Sequence, residues 1–355
     1  MRQPLSRKEK PKIDCSAIQK ILLIRLRRIG DVVMTTPALT ILREHCPEAK
    51  IDYIIDEPYR KLVEGHPALD EVIVLPKKLK TRHFLRHIRT IRKNTYDVLL
   101  DFHGGPRASL FAFFSKARLK IGYKIKYKHF IYDTVIPREP EEGFIHSVEN
   151  HVNLVKSLGV SPSSIPKPSL PPGKRLEAEK IQRILRRNHY LGYKLITLHI
   201  SAGNAFRDWG VDKFIALTDL TAGIQDVKII LIGGQDDRQA EAEILEKSTA
   251  PLISLVGQLN LRELKELISV SSLFVGPDSG PMHIASTTST PIVALFGPTL
   301  PAHFAPWGAQ ATLLEKTFDC RPCRQRECIH KDFRCLRSIR PQEVYKACLT
   351  YLQCS

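Results

Sequence analysis

No apolar run in the 355-residue chain approaches the ~18 residues a membrane-spanning helix requires, so no bilayer-crossing segment is expected. Met1 to Lys12 is basic and polar with no apolar stretch behind it, which excludes a secretory signal and predicts a protein of the cytosol. Acidic residues are scarce: 37 Asp and Glu stand against 54 Lys and Arg, leaving a net charge of +17. That excess favours polyanionic partners. A nucleic acid is not expected, because the chain has no zinc-finger, basic-zipper or aromatic RNA-binding signature. An anionic membrane face, a glycolipid or a phosphorylated substrate fits better, and the cations concentrate between Lys77 and Lys128. No G-x-G-x-x-G follows the first strand candidate, which disfavours a dinucleotide-dependent oxidoreductase.

What is present is a globular balance, 43% apolar and 26% charged, in a chain long enough for two domains. The first half opens with a strand candidate, Lys20 to Leu26, then a tight Gly30-Asp31 turn and a helical pattern from Val32 to His45. Further strands are predicted at Ile51 to Ile55, Glu71 to Leu75 and Asp97 to Phe102. Short apolar runs alternating with helical stretches indicate a parallel sheet covered on both faces. Ser161 to Gly173 is rich in Pro and Ser and marks a linker. The second half repeats the scheme, with strands at Leu195 to Ile200, Val227 to Ile232, Leu273 to Val275 and Pro291 to Phe296. Helices are predicted at Val211 to Leu220, Leu261 to Ser269, His283 to Thr287 and Pro341 to Leu352. The expected organisation is a basic tail (1–19), an α/β half (20–172), a second α/β half (173–340) and a C-terminal helix (341–355). Both halves are Rossmann-like and doubly wound, and ligands are expected in a central cleft at the carboxyl ends of the strands.

Four segments carry chemistry. In Arg27-Arg28-Ile29-Gly30-Asp31, glycine permits close backbone approach, and Asp31 falls at a helix start on the carboxyl edge of the sheet. An aspartate there is either a helix cap or a general base facing the cleft, and the two are compatible. In Gly276-Pro277-Asp278-Ser279-Gly280-Pro281-Met282-His283, a strand runs into small residues opening a helix, an arrangement whose amides suit a diphosphate. Ser201 to Trp209 again joins a strand to a helix through small residues, and Arg207 can fork onto phosphate oxygens. Gly233-Gly234-Gln235-Asp236-Asp237 follows a strand, where an acid such as Asp237 can hold ribose hydroxyls.

The ordered set IRLRRIGDVVMTTPAL, SAGNAFRDWGVDKF, LIGGQDD, VGPDSGPMHIA and ALFGPT resembles glycosyltransferase family 9, the ADP-heptose:lipopolysaccharide heptosyltransferases. The resemblance runs from Lys20 to about Val344. It implies a GT-B fold with an N-terminal acceptor domain and a C-terminal donor domain. It implies inverting transfer of heptose from ADP-heptose, or of another sugar from a related nucleotide sugar, to the inner core (Kdo/heptose region) of lipopolysaccharide. On that pattern Asp31 is the base, no cofactor is required, and Ser201, Arg207, Asp237, Asp278, Ser279, Gly280 and His283 hold the donor. Arg207 stands where the family usually has Lys, and Asp208 intervenes before Trp209, so the phosphate contact at that position is altered. Arg107, Lys120, Lys124 and Lys126 suit an anionic lipopolysaccharide precursor, met at the inner-membrane cytoplasmic face. A non-catalytic nucleotide-binding scaffold is the remaining alternative, against which the intact Asp31 and Asp-Ser-Gly segment argue.

The chain has eight cysteines. Cys15 and Cys46 are isolated, and a cytosolic setting argues against a disulfide framework. Cys320-x2-Cys323-x4-Cys328-x6-Cys335 resembles metal-ligand spacing, so a structural zinc or iron before the last helix is one expectation and reduced thiols packing a loop the other. Cys348 and Cys354 fit neither pattern.

Overall fold

The computed structural model describes residues 17–78, 81–125, 129–138 and 143–353. Most of the basic tail, with Cys15, and Lys126 and Cys354 lie outside them. The first half runs β1 (Lys20–Ile24), α1 (Ile29–His45), β2 (Lys50–Asp56), β3 (Glu71–Leu75), α2 (Thr81–Asn94), β4 (Val98–Asp101), α3 (Pro106–Phe114), β5 (Leu119–Tyr123), β6 (Thr134–Ile136) and α4 (Ser147–Lys156). Residues 157–174 form no helix or strand. The second half continues with α5 (Arg175–Arg187), β7 (Lys194–His199), α6 (Val211–Ala222), β8 (Val227–Ile232), α7 (Arg238–Lys247), β9 (Leu252–Ser254), α8 (Leu261–Ser269) and β10 (Leu273–Pro277). It closes with α9 (Gly280–Ala285), β11 (Ile292–Phe296), α10 (Pro301–Phe304), β12 (Ala311–Glu315), α11 (Arg334–Arg337) and α12 (Pro341–Leu352).

Both halves form a six-stranded sheet, in the orders β3-β2-β1-β4-β5-β6 and β12-β11-β10-β7-β8-β9. Every strand pairing is parallel. Counted from its own first strand, the second sheet repeats the order of the first. The expected pair of doubly wound halves is therefore present. Chain direction across each sheet reverses beside β1 and β4, and beside β7 and β10. Loops leaving those four strands open the crevice where ligands bind in such sheets.

The central strands are buried on both faces, which is why they read as continuous apolar runs: Ile21 to Ile24 and Leu273 to Val275 are all fully covered. The largest apolar cluster is shared by the two halves. It includes Val32, Val33 and Leu39 of α1 together with Met282, Ile284 and Ala285 of α9. A second cluster packs α12 through Val344 and Cys348 onto the C-terminal sheet, and a third joins α2 and α3 to the first sheet through Ile88, Ile91 and Phe111.

Several boundaries differ from expectation. β1 ends at Ile24 rather than Leu26, and α1 begins at Ile29 rather than Val32. Gly30 is thus not the corner of a turn but the second residue of a helix. α9 likewise starts at Gly280, three residues before His283. Both errors have one cause: Gly and Pro at a first helical turn read locally as breakers, although Pro281 falls where a proline costs no hydrogen bond. β5, β6, β9 and β12 were not expected. They are three to five residues long and mostly half-buried at or next to sheet edges, so they lack a sustained apolar run.

Candidate functional site

A cavity of about 380 Å³ opens between the halves, lined by residues including Arg25, Arg27, Arg28, Asp31, His103, Tyr123, Arg138 and His151 from the first half and His303 and Phe304 from the second. The loops after β1 and β4, the two strands at the reversal point, supply Arg25 to Arg28 and His103.

Asp31 is the third residue of α1, and its Oδ2 accepts the Arg28 N–H at 3.3 Å. The capping role is therefore real, but it occupies only part of the carboxylate. Oδ1 lies 2.6 Å from Nη2 of Arg25, a side chain only 5% exposed, whereas the Asp31 side chain is 36% exposed to the cavity. Nη1 of Arg25 donates to the Phe102 carbonyl, so the guanidinium is pinned between two loops. Burial works to raise the Asp31 carboxyl; the Arg25 charge and the Arg28 amide outweigh it and hold the group below its ordinary value. His151 is fixed, its Nδ1 2.7 Å from the Tyr123 hydroxyl, and burial keeps it neutral far below its ordinary range. Arg138 lies over the Tyr123 ring at 4.5 Å.

On the facing side, Asp278 is 3% exposed, and its carboxylate is committed inside the protein. It accepts the Thr299 hydroxyl at 2.6 Å, stands 3.3 Å from Nη1 of Arg207 and 3.7 Å from Nε2 of His283. Burial pushes this carboxyl up, but His283, Arg207 and Thr299 together bring it below its ordinary value. Arg207 also donates from Nη1 to the Asp278 carbonyl and from Nε to Gln325. Its Nη2 has no hydrogen bond among the described residues. Ser279 occupies the cap position of α9 but does not cap it; its hydroxyl pairs instead with Nδ1 of buried His199 at 3.0 Å. Ser201 accepts the Gly203 amide, and Asp237 accepts the Gly234 amide at 2.6 Å, both in part-exposed loops after β7 and β8.

The two helix starts meet directly. A Cβ on Gly30 would stand 2.5 Å from the His283 ring, and one on Gly280 would stand 2.7 Å from the Ile29 side chain. These two glycines let α1 and α9 approach closely enough to bring the Asp31 loop and the Asp278–His283 segment to one place. The halves also meet where His146 stacks on Trp307 at 4.8 Å and its Nε2 lies 2.9 Å from the Ala305 carbonyl.

Of the expected site residues only Asp31 is among those lining the cavity; Ser201, Arg207, Asp237, Asp278, Ser279, Gly280 and His283 lie outside its lining. Arg107 forms a two-point ion pair with Asp56, at 2.9 and 3.1 Å, and is not among the cavity's lining residues. Lys124 is exposed, one residue beyond cavity-lining Tyr123. The cations that do line the cavity, Arg25, Arg27, Arg28 and Arg138, include three next to Asp31 in sequence, so their adjacency was the available signal.

The cysteine-rich segment supports the loop after β7 rather than standing apart from it. Gln325 accepts from Arg207 and Asn204, Phe333 meets Phe206 edge-on at 5.4 Å, and Arg321 donates to the Thr299 carbonyl. The Gln325 amide in turn donates to Sγ of Cys323. The spacing of Cys320, Cys323, Cys328 and Cys335 suggested a metal. Among the described residues, however, no group of three or more His, Cys, Asp or Glu side chains is arranged to hold one, and the four thiols are free.

The profile of glycosyltransferase family 9 (heptosyltransferase) matches residues 84–333. Lipopolysaccharide heptosyltransferase 3 of Escherichia coli is 27% identical over 297 residues, covering 79% of this chain and 84% of that protein. Among solved structures, a family 9 glycosyl transferase from Veillonella parvula superposes with a TM-score of 0.84 at 24% identity, covering 97% of this chain and 99% of that one. The E. coli ADP-heptose lipopolysaccharide heptosyltransferase II superposes with a TM-score of 0.78 at 21% identity, covering 94% and 99%.

Proposed function

The chain belongs to glycosyltransferase family 9, the heptosyltransferases, and from that premise we propose that it transfers heptose from ADP-heptose, with inversion, to a hydroxyl of the lipopolysaccharide inner core. It is a glycosyltransferase of GT-B fold, related over most of its length to enzymes of lipopolysaccharide synthesis. The observation that carries the finer reading is an ionised, part-exposed carboxylate, Asp31, in an interdomain cavity beside the Asp278–His283 segment.

In the proposed reaction the acceptor oxygen attacks the anomeric carbon and its proton passes to Asp31, while the bond from that carbon to the ADP β-phosphate oxygen breaks. The departing diphosphate gains charge and needs cations or N–H donors rather than a proton. The uncommitted Nη2 of Arg207, the Gly280 amide and the Ala202 and Asn204 amides supply them; Asp237 takes the ribose. Asp278, itself enclosed, orders Arg207 and His283. Arg27, Arg28 and Arg138 face the anionic acceptor from the cavity wall, with Lys124 beside them. Arg107, spent on Asp56, contributes through packing. This chemistry calls on no metal or other cofactor. No helix among the described residues is long and apolar enough to cross a membrane, and the reaction is placed on the cytoplasmic side, where nucleotide sugars are made.

Asp31→Asn tests the reading. Transfer is expected to fall by at least ~100-fold, as for loss of a general base, with ADP affinity by calorimetry unchanged. Retained transfer would reduce Asp31 to a cap. A panel of nucleotide sugars read by thermal stabilisation and turnover identifies the donor, and preference for a donor other than ADP-heptose would replace that part of the proposal.

A further inference from the structure

α2, Thr81–Asn94, contains five cations and no acid: Arg82, Arg86, Arg89, Arg92 and Lys93. All five are exposed. Arg82, Arg86, Arg89 and Lys93 recur at helical spacing, forming one basic stripe along the outer side of the helix. None forms a salt bridge among the described residues, so the stripe is not a set of pairs with neighbouring acids. Three more cations, Lys77, Lys78 and Lys80, precede the helix in sequence.

Beside this stripe the surface is apolar. On α3, Leu110, Phe113 and Phe114 are 47%, 53% and 37% exposed, at spacing that puts them on one outward face, and Leu85 of α2 is 49% exposed. The two helices are joined beneath by Phe84, whose ring lies 5.1 Å from Phe111 and 6.3 Å from Phe114. Phe113 packs edge-on against Phe114 at 5.0 Å, which holds both rings at the surface. Core packing does not call for them there: Ile88, Ile91, Ala108, Phe111 and Ala112 already cover the sheet.

We propose that the α2–α3 face is a membrane-binding surface that seats the enzyme on an anionic phospholipid bilayer. The combination sets the partner. Exposed aromatic and leucine side chains gain by entering the headgroup–acyl boundary, and a stripe of unpaired arginines gains from anionic headgroups while its stems lie along the apolar zone. A nucleic acid would use the charge and leave Leu110 and Phe113 in water; a neutral protein partner would use the rings and leave five cations uncompensated. The inference goes beyond sugar transfer and does not depend on it, since α2 and α3 contribute no residue to the cavity at Asp31.

The test is co-sedimentation of the full chain with phosphatidylcholine vesicles containing or lacking phosphatidylglycerol, free of lipopolysaccharide so that the outcome is independent of the acceptor. The expected result is salt-sensitive binding to the anionic vesicles only. Arg86→Glu/Arg89→Glu/Lys93→Glu and Leu110→Ser/Phe113→Ser should each lower the apparent vesicle affinity at least ~10-fold, with thermal midpoint and ADP affinity as in the unsubstituted protein. Wild-type vesicle binding by either variant would overturn the proposal, as would equal binding to pure phosphatidylcholine. It would also be overturned by single-stranded RNA binding that outcompetes the vesicles and survives Leu110→Ser/Phe113→Ser.

Discussion

In the proposed reaction the carboxylate that takes the proton, Asp31, sits against a cation that keeps it ionised. Arg25 lowers the Asp31 carboxyl against the upward pull of burial. The charged, proton-accepting form therefore persists below the ordinary carboxylate value of 3.8, at some loss of basicity. Arg25→Met removes the cation and leaves the burial, so the carboxyl rises. The acid limb of kcat/KM against pH should then move to higher pH, and an unmoved limb would show that Arg25 does not act on Asp31. On the donor side, Asp278→Asn removes the charge that holds Arg207 and His283. ADP affinity by calorimetry is expected to fall roughly 10-fold or more, the scale of charged hydrogen bonds lost from a buried site. The sequence pointed to both aspartates through the small residues around them. The nearness of Arg25 to Asp31 in sequence was visible; Gln325 and Thr299, which meet Arg207 and Asp278, left no sign, because those pairings depend on which loops the fold brings together.

At the scale of elements, the crossing of α1 and α9 governs the site. Gly→Ala inside a helix ordinarily adds stability, by up to ~1 kcal/mol. At Gly30 the new methyl would meet the His283 ring, so Gly30→Ala should lower both the thermal unfolding midpoint and ADP affinity. A raised midpoint with unchanged affinity would mean that the helices do not pack this closely. The segment from Arg321 to Phe333 is the second controlling element. Strand–loop–helix patterns made the loops after β7 and β10 legible as a site. Nothing in the cysteine spacing showed that this segment, more than 110 residues from Arg207 (|i−j| = 118 for the Gln325 contact), braces them.

Across the whole molecule, buried neutral histidines tie stability to pH. His66, His146 and His199 are each held down to about 4 by burial. The unfolded chain, with ordinary values of 6.5, binds more protons than the folded one between those limits. Their contribution is complete above pH 6.5 and is lost as pH falls toward 4. For fully enclosed His199 alone this is on the order of 3 kcal/mol. Denaturant midpoints should fall steeply across that window, and His199→Phe should flatten part of the fall; a flat profile would contradict the burial. The amino-acid order by itself determined the class of fold and the positions of the loops proposed to bind the donor. A strand buried on both faces must be a continuous apolar run, and a loop that admits a ligand's phosphate must be built of small residues, so both are written locally. Tertiary structure alone decided which charges face the cavity and which are spent elsewhere. Arg25 reaches Phe102 across 77 positions, and Arg107 turns to Asp56 instead of the cleft. Those outcomes rest on the distances between loops, which no local pattern encodes.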